Sequence, residues 1–269
     1  MELAVTHAPA APDSAENRLE RARLALEQSA AEPGAAPAVA TPEELDEALD
    51  AVEGIPADGP RAAEADRLAR TAIEQALAAA ADAVGRAAAA EPGGSGTLLD
   101  TARERQVAIA RRAVQWASAR RPSEADRYRL VLADALLASG DARAAAIYED
   151  IAARSPASPA TGDLGAAARL GLGRAQRAGG RAEAAFATLR SLTDDLERTA
   201  QRAAPGSRER PPQYWLAWAE MLEILAADNR DGRRTDTIRL QLNRLALVDQ
   251  QFGGGEARAR LETVRAGLK

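Results

Sequence analysis

Residues 61–90 read RAAEADRLARTAIEQALAAAADAVGRAAAA, a run with no proline and only Gly85 as a break. Such a stretch has one low-energy conformation. Alanine loses no side-chain entropy in a helix, and the helix satisfies every interior backbone group internally. Ile73, Leu77, Ala80 and Val84 recur at +4, +7 and +11, the period of one helix face. That face carries little bulk. The whole chain is 46% hydrophobic but only 3% aromatic, so alanine and leucine supply most of its apolar surface. Burial per residue is therefore small, and stability requires many helices in close approach rather than a few large contacts.

Gly- and Pro-rich breaks divide the rest of the chain into further helices. Residues 1–12 form an Ala/Pro-rich tail, and Asp13-Ser14 can cap a helix running to about Ala31. The segment AEPGAAPAVATP (31–42) is a linker. Thr41 then offers an N-cap, Pro42 the first helical position, and Glu43 and Glu44 an acidic first turn. Leu45, Ala48, Leu49 and Val52 form the stripe of this short helix, which ends at Gly54. After the break EPGGSG (91–96), a helix over about 98–120 places Val107, Ala110, Val114 and Ala117 on one seam, beside Ile109 and Trp116. Helices joined by so short a link fold back as an antiparallel hairpin.

From residue 123 the spacing becomes regular. Residues 123–156, 163–197 and 211–255 each read as two helices around a central break, and 256–268 as a last helix. No alternating strand pattern occurs, so the expected class is all-α. In the first pair, Leu132-Ala133 and Leu136 precede a Gly140-Asp141 turn. Ala145, Tyr148 and Ala152 follow ahead of Pro156. Leu172-Gly173, Gly180 and Ala185 fill corresponding places in the second pair, and Trp215, Trp218-Ala219 and Leu222 in the third. This arrangement resembles the tetratricopeptide repeat (TPR) over about 123–250. It departs from the family at Arg129 and Gln176, which stand where large side chains are usual, and in the third pair, whose turn is expanded to 227–234 and whose end lacks the proline.

The resemblance implies a right-handed α-α superhelix, a solenoid of antiparallel pairs without a sheet. Residues 13–122 would be N-terminal helical hairpins, either degenerate repeats or a different helical region, and 123–269 the repeats with a C-terminal capping helix. It also implies a scaffold that binds a protein or peptide in a groove lined by first helices. The groove-facing residues would be Arg127, Leu130 and Asp134, then Leu170, Arg174 and Arg177, then Gln213, Leu216, Glu220 and Glu223. A structural or self-assembling part of a larger repeat protein is the alternative.

The residues argue against catalysis. His7 is the one histidine and lies in the tail, and cysteine is absent, which removes thiolate and nucleophile–histidine arrangements. No cofactor, metal or small-molecule substrate is expected. Gly171-Leu172-Gly173 lacks the strand and third glycine of a dinucleotide loop. Asp228–Gly232 fails as a calcium loop because Ala227 and Ile238 fall where the first and last ligands belong. The N-terminal stretch has no signal-peptide pattern and no segment reaches the length of a membrane span, so a soluble cytoplasmic protein is expected.

Net charge is −5, which gives the whole chain no pull toward nucleic acid. Charge is nonetheless segregated. Residues 41–66 hold nine acids against one arginine, and 103–121 hold six arginines against one glutamate. Either these two segments pack together, or each is a separate docking surface. The basic helix with Trp116 is the one candidate for nucleic-acid binding.

Two seams compete in RPPQYWLAWAEMLEIL (210–225). Trp215, Trp218, Leu222 and Leu225 form one, and Tyr214, Trp218, Met221 and Leu225 the other. A helix with so wide an apolar stripe packs on two partners, and its rings serve as core anchors or as one edge of a pocket.

Overall fold

A computed structural model describes residues 15–27, 41–90, 96–155, 164–203, 209–229 and 231–268. His7, the Asp13-Ser14 cap, most of the 31–42 linker, most of the 91–96 break and Pro156 lie outside the described residues. Among those described there are eleven α-helices, one short 3-10 turn and no strand. They form two compact units, one ending at Tyr128 and the other beginning at Arg129.

The first unit holds α1 (Ala15–Glu27), α2 (Pro42–Glu53), α3 (Ala62–Ala90) and α4 (Thr97–Arg120), followed by the 3-10 turn Pro122–Glu124. α2 begins with a full capping box: the Glu44 N–H donates to the Thr41 hydroxyl, and the Thr41 N–H donates to the Glu44 carboxylate. Its stripe of Leu45, Ala48, Leu49 and Val52 is buried. α3 buries a row of small residues, Ala65, Ala69, Ala72, Ala76 and Ala80, around Ile73. α4 packs on it, and the pairing of Arg120 with Asp66 shows that the two helices run antiparallel. Val107, Ile109, Ala110, Ala113, Trp116 and Ala117 are buried on α4, and Trp116 meets Tyr128 edge-to-face at 6.2 Å.

α5 (Ala125–Ala138) leads into the second unit, which contains α6 (Arg143–Arg154), α7 (Leu164–Ala178), α8 (Ala182–Ala203), α9 (Pro212–Ala227), α10 (Thr235–Val248) and α11 (Gly255–Gly267). Consecutive helices from α6 to α9 pack on one another, and α11 returns to pack on α9. α5 and α7 end in the same hydrogen-bonded turn. Gly140 and Gly180 both take a positive φ, 75° and 74°. The N–H groups of Gly140 and Asp141 reach the carbonyls of Leu137 and Leu136, and those of Gly180 and Arg181 reach Arg177 and Gln176. Each set closes a Schellman motif, for which the left-handed residue favours glycine.

Two further glycines work by absence of bulk. A Cβ on Gly171 would stand 2.2 Å from the Tyr148 ring, and one on Gly173 would stand 2.7 Å from Leu189. α7 thus accepts α6 on one side and α8 on the other at close range. At Arg129 and Gln176, where the repeat pattern has large side chains, polar pairs join the helices. Arg129 on α5 meets Asp150 on α6 at 2.5 Å, and the Thr188 hydroxyl on α8 donates to Gln176 Oε1 on α7 at 2.9 Å. The segment after α9 is a turn held by Asn229, whose Oδ1 accepts from the Arg234 N–H at 2.6 Å.

Candidate functional site

Helices α7, α9 and α11 share a face on which opposite charges alternate. Glu220, on α9, is the centre: its side chain is 5% exposed. Its carboxylate accepts from Arg174 Nε at 2.8 Å and Arg177 Nη1 at 2.8 Å on α7. Arg260 Nη2, on α11, lies 2.7 Å away. One turn along, Glu223 accepts from Arg177 at 2.6 Å and from both Nε and Nη2 of Arg260, at 2.7 and 2.8 Å. Glu256 adds contacts to Arg174 and Arg260. Burial pushes the Glu220 carboxyl up, but the Arg260 and Arg174 guanidiniums outweigh it and hold the group below the usual carboxylate range. Glu223 is held down in the same way, burial being overcome by Arg260 and Arg177.

Four of the ten expected groove residues therefore meet in one network: Arg174, Arg177, Glu220 and Glu223. Asp134, on α5, bonds the Tyr148 hydroxyl at 2.5 Å. Its carboxyl is pushed up by burial, against the pull of that hydroxyl and of Arg174. Leu170 is buried in the core, while Leu130, Gln213 and Leu216 are half-buried. Arg127 is exposed and lies 3.8 Å from Glu74, within the first unit. Arg260 was not expected from the resemblance. Its signal in the sequence is the Glu256/Arg260 pair at i, i+4 on the last helix, complementary to the arginines and glutamates of α7 and α9.

The aromatic cluster divides between two surroundings. Trp215 is buried against the α10–α11 connection, where Phe252 to Gly255 all take positive φ. A Cβ on Gly253 would stand 2.3 Å from the Trp215 ring, and Phe252 lies edge-on to it at 6.5 Å. Asp249 braces this turn by accepting from the N–H groups of Gln251 and Gly253, both at 2.8 Å. Trp215 is a core anchor.

Trp218 faces the other way. With Tyr214, Met221 and Leu225 it forms the floor of a cleft of about 680 Å³, walled by α8 and α10. Phe186 supplies further apolar lining from α8, and Leu245 and Val248 from α10. Arg190, Asp194 and Arg244 stand at its rims. At one end Arg210 holds Glu197 at 2.6 Å and lies over the Tyr214 ring at 5.9 Å. Burial, reinforced by the Glu197 charge, pushes the Tyr214 hydroxyl up to about 12.

In the first unit the segregated charges meet. Arg112 of α4 contacts three carboxylates of α2: Asp46 at 2.6 Å, Asp50 at 3.2 Å and Glu53 at 2.9 Å. Arg120 and Arg121 both hold Asp66 at 2.9 Å, and Arg120 also donates to the Ile55 carbonyl. The acidic and basic segments pack on each other, and half of the six arginines in 103–121 are engaged there.

Among the described residues no group of three His, Cys, Asp or Glu side chains could hold a metal ion, and no helix is long and apolar enough to cross a membrane. Comparison with known families, curated proteins and solved structures finds no match to this chain.

Proposed function

We propose that this chain is a non-enzymatic protein-binding scaffold, built from TPR-like helical pairs that stack in the right-handed manner of that family, with its docking surface in the second unit. The observation that carries this reading is the cleft over α9. Its floor and walls combine three aromatic rings, a methionine and aliphatic side chains with charged rims, the composition of a protein-recognition groove. The α7–α9–α11 face suits recognition less, because its arginines and glutamates already neutralise one another and a peptide would have to displace them.

The experiment places benzoylphenylalanine at Thr237, at the exposed end of the α10 wall, in the full chain, and crosslinks in the cells that produce it. A discrete polypeptide adduct is expected, and it should disappear when Arg190 and Arg244 are both changed to glutamate. Absence of any adduct, or one indifferent to the cleft variants, would refute the reading. Self-assembly is a second reading with its own observation. Leu240 and Leu247 lie seven residues apart on α10 and are 55% and 77% exposed. If that stripe joins copies, light scattering of Leu240→Glu/Leu247→Glu will show a smaller particle than the parent chain.

A further inference from the structure

The cleft over α9 carries information about its occupant. We infer that it receives a short amphipathic helix of a partner protein whose apolar face is flanked by carboxylates; the inference rests on the protein-binding reading above. Length comes first. The lining runs from Phe186 to Glu197 on α8, from Tyr214 to Leu225 on α9 and from Thr237 to Val248 on α10. Each stretch advances eleven positions, about 16 Å at 1.5 Å per residue. That is three turns of a guest helix, which presents side chains at i, i+3 or i+4, and i+7 to such a groove. α8 and α10 both pack beside α9, so a helix laid between them completes a layer with its apolar side chains on Trp218 and Met221.

Charge comes second. Arg190 on the α8 wall and Arg244 on the α10 wall are exposed, and neither has an ion-pair partner among the described residues. Most arginines of this unit are paired, including Arg169, Arg174, Arg177, Arg210 and Arg260. Glu197 is neutralised by Arg210, which leaves Asp194 as the one unpaired acid on the described rim. The walls therefore present two free cations against one anion, on opposite sides of an apolar floor. A guest with carboxylates on both flanks of its apolar stripe can pair with both arginines, whereas a lysine-flanked guest meets only Arg244 on the α10 side and finds Asp194 as its single partner on the α8 side.

The test uses the full chain and two fluorescein-labelled, alanine-based helical peptides of about fourteen residues, with leucines at i, i+3 and i+7. One carries glutamates beside the leucines and its twin carries lysines. By fluorescence polarisation at low salt, the glutamate peptide should bind at least about tenfold more tightly, and the margin should shrink in about 0.5 M salt as the rim charges are screened. Arg190→Glu with Arg244→Glu, both at exposed positions, should reverse the preference. Gln241→Trp, which fills the middle of the cleft, should abolish binding of either peptide. Equal binding of the twins, or a preference for lysine, overturns the inference while leaving the cleft as a docking site. Failure of both peptides to bind, or binding that survives Gln241→Trp, overturns the inference and the cleft reading together.

Discussion

Glu220→Gln removes one negative charge from a point where three guanidiniums converge at 2.7–2.8 Å. With charge centres about 4 Å apart and an effective dielectric constant of about 20, each arginine gains about 4 kcal/mol from the carboxylate. Repulsion among the three cations and their lost hydration cancel most of that gain. Removing one partner of a buried pair costs about 3–5 kcal/mol, because the charges left behind lose their compensation. Arg174 and Arg177 are 34% and 36% exposed, so solvent screens them in part. The expected loss is therefore about 2–4 kcal/mol. At roughly 3 °C per kcal/mol this is a fall in Tm of about 6–12 °C, read by circular dichroism. The loss should also be local. Hydrogen exchange across α11, which Arg260 ties to α9, should accelerate while exchange across α4 in the other unit stays unchanged. A fall in Tm below about 2 °C, or unchanged exchange in α11, would refute the argument that the network holds the last helix.

Acid should act on the same contacts. Glu220 and Glu223 titrate below their ordinary value of 4.5 in the folded chain, so the unfolded chain binds protons first as pH falls. Their contribution is complete above about pH 4.5 and is lost as pH drops through the depressed folded values. Asp134, held up by burial, runs the opposite way and offsets part of this. Tm measured from pH 6 down to 3 should fall below about 4.5, and less steeply in Glu220→Gln/Glu223→Gln. Gly171→Ala should cost about 1–3 kcal/mol by driving a methyl group into Tyr148, whereas Gly85→Ala, which meets nothing within 4 Å in mid-helix, should add about 0.5–1 kcal/mol; denaturant titration of the two variants checks the sign. Trp215→Ala should cost about 3–5 kcal/mol and Trp218→Ala about 1–3, since the first ring is buried and the second borders the cleft; the reverse order would place the core on the wrong side of α9.

Helix positions were legible because local chemistry decides them. Thr41, Pro42 and Glu44 act within one turn, and the expected cap and stripe of α2 are the ones found. The run 61–90 contained no competing signal and forms α3 over Ala62–Ala90. α8 continues past the expected end at 197 to Ala203, because nothing in ERTAQRA opposes helix and only weak signals mark a boundary. Partner choice was less legible. Segregation of charge left two arrangements open for the 41–66 and 103–121 segments, and Arg112 against Asp46, Asp50 and Glu53 selects one of them. The repeat resemblance puts Glu220 and Glu223 on the groove side. That both would be neutralised by Arg260, some forty residues on, follows from the return of α11 to α9, which helical periodicity does not encode. Trp215 and Trp218 sit three positions apart on one stripe, yet only the Phe252–Gly255 turn determines which of them is enclosed.

Most packing in the second unit is between helices adjacent in sequence, from α6 through α9. Local contacts of this kind close short loops at small entropic expense, so these helices can assemble quickly and early. The charge network is different: Arg174 meets Glu220 across 46 residues and Glu256 across 82. Contacts of such range form after the local pairs are in place. Loss of Glu220 should consequently leave the refolding rate nearly unchanged and accelerate unfolding, the pattern of interactions absent from the transition state. The buried glutamate then acts chiefly on how long the folded unit persists.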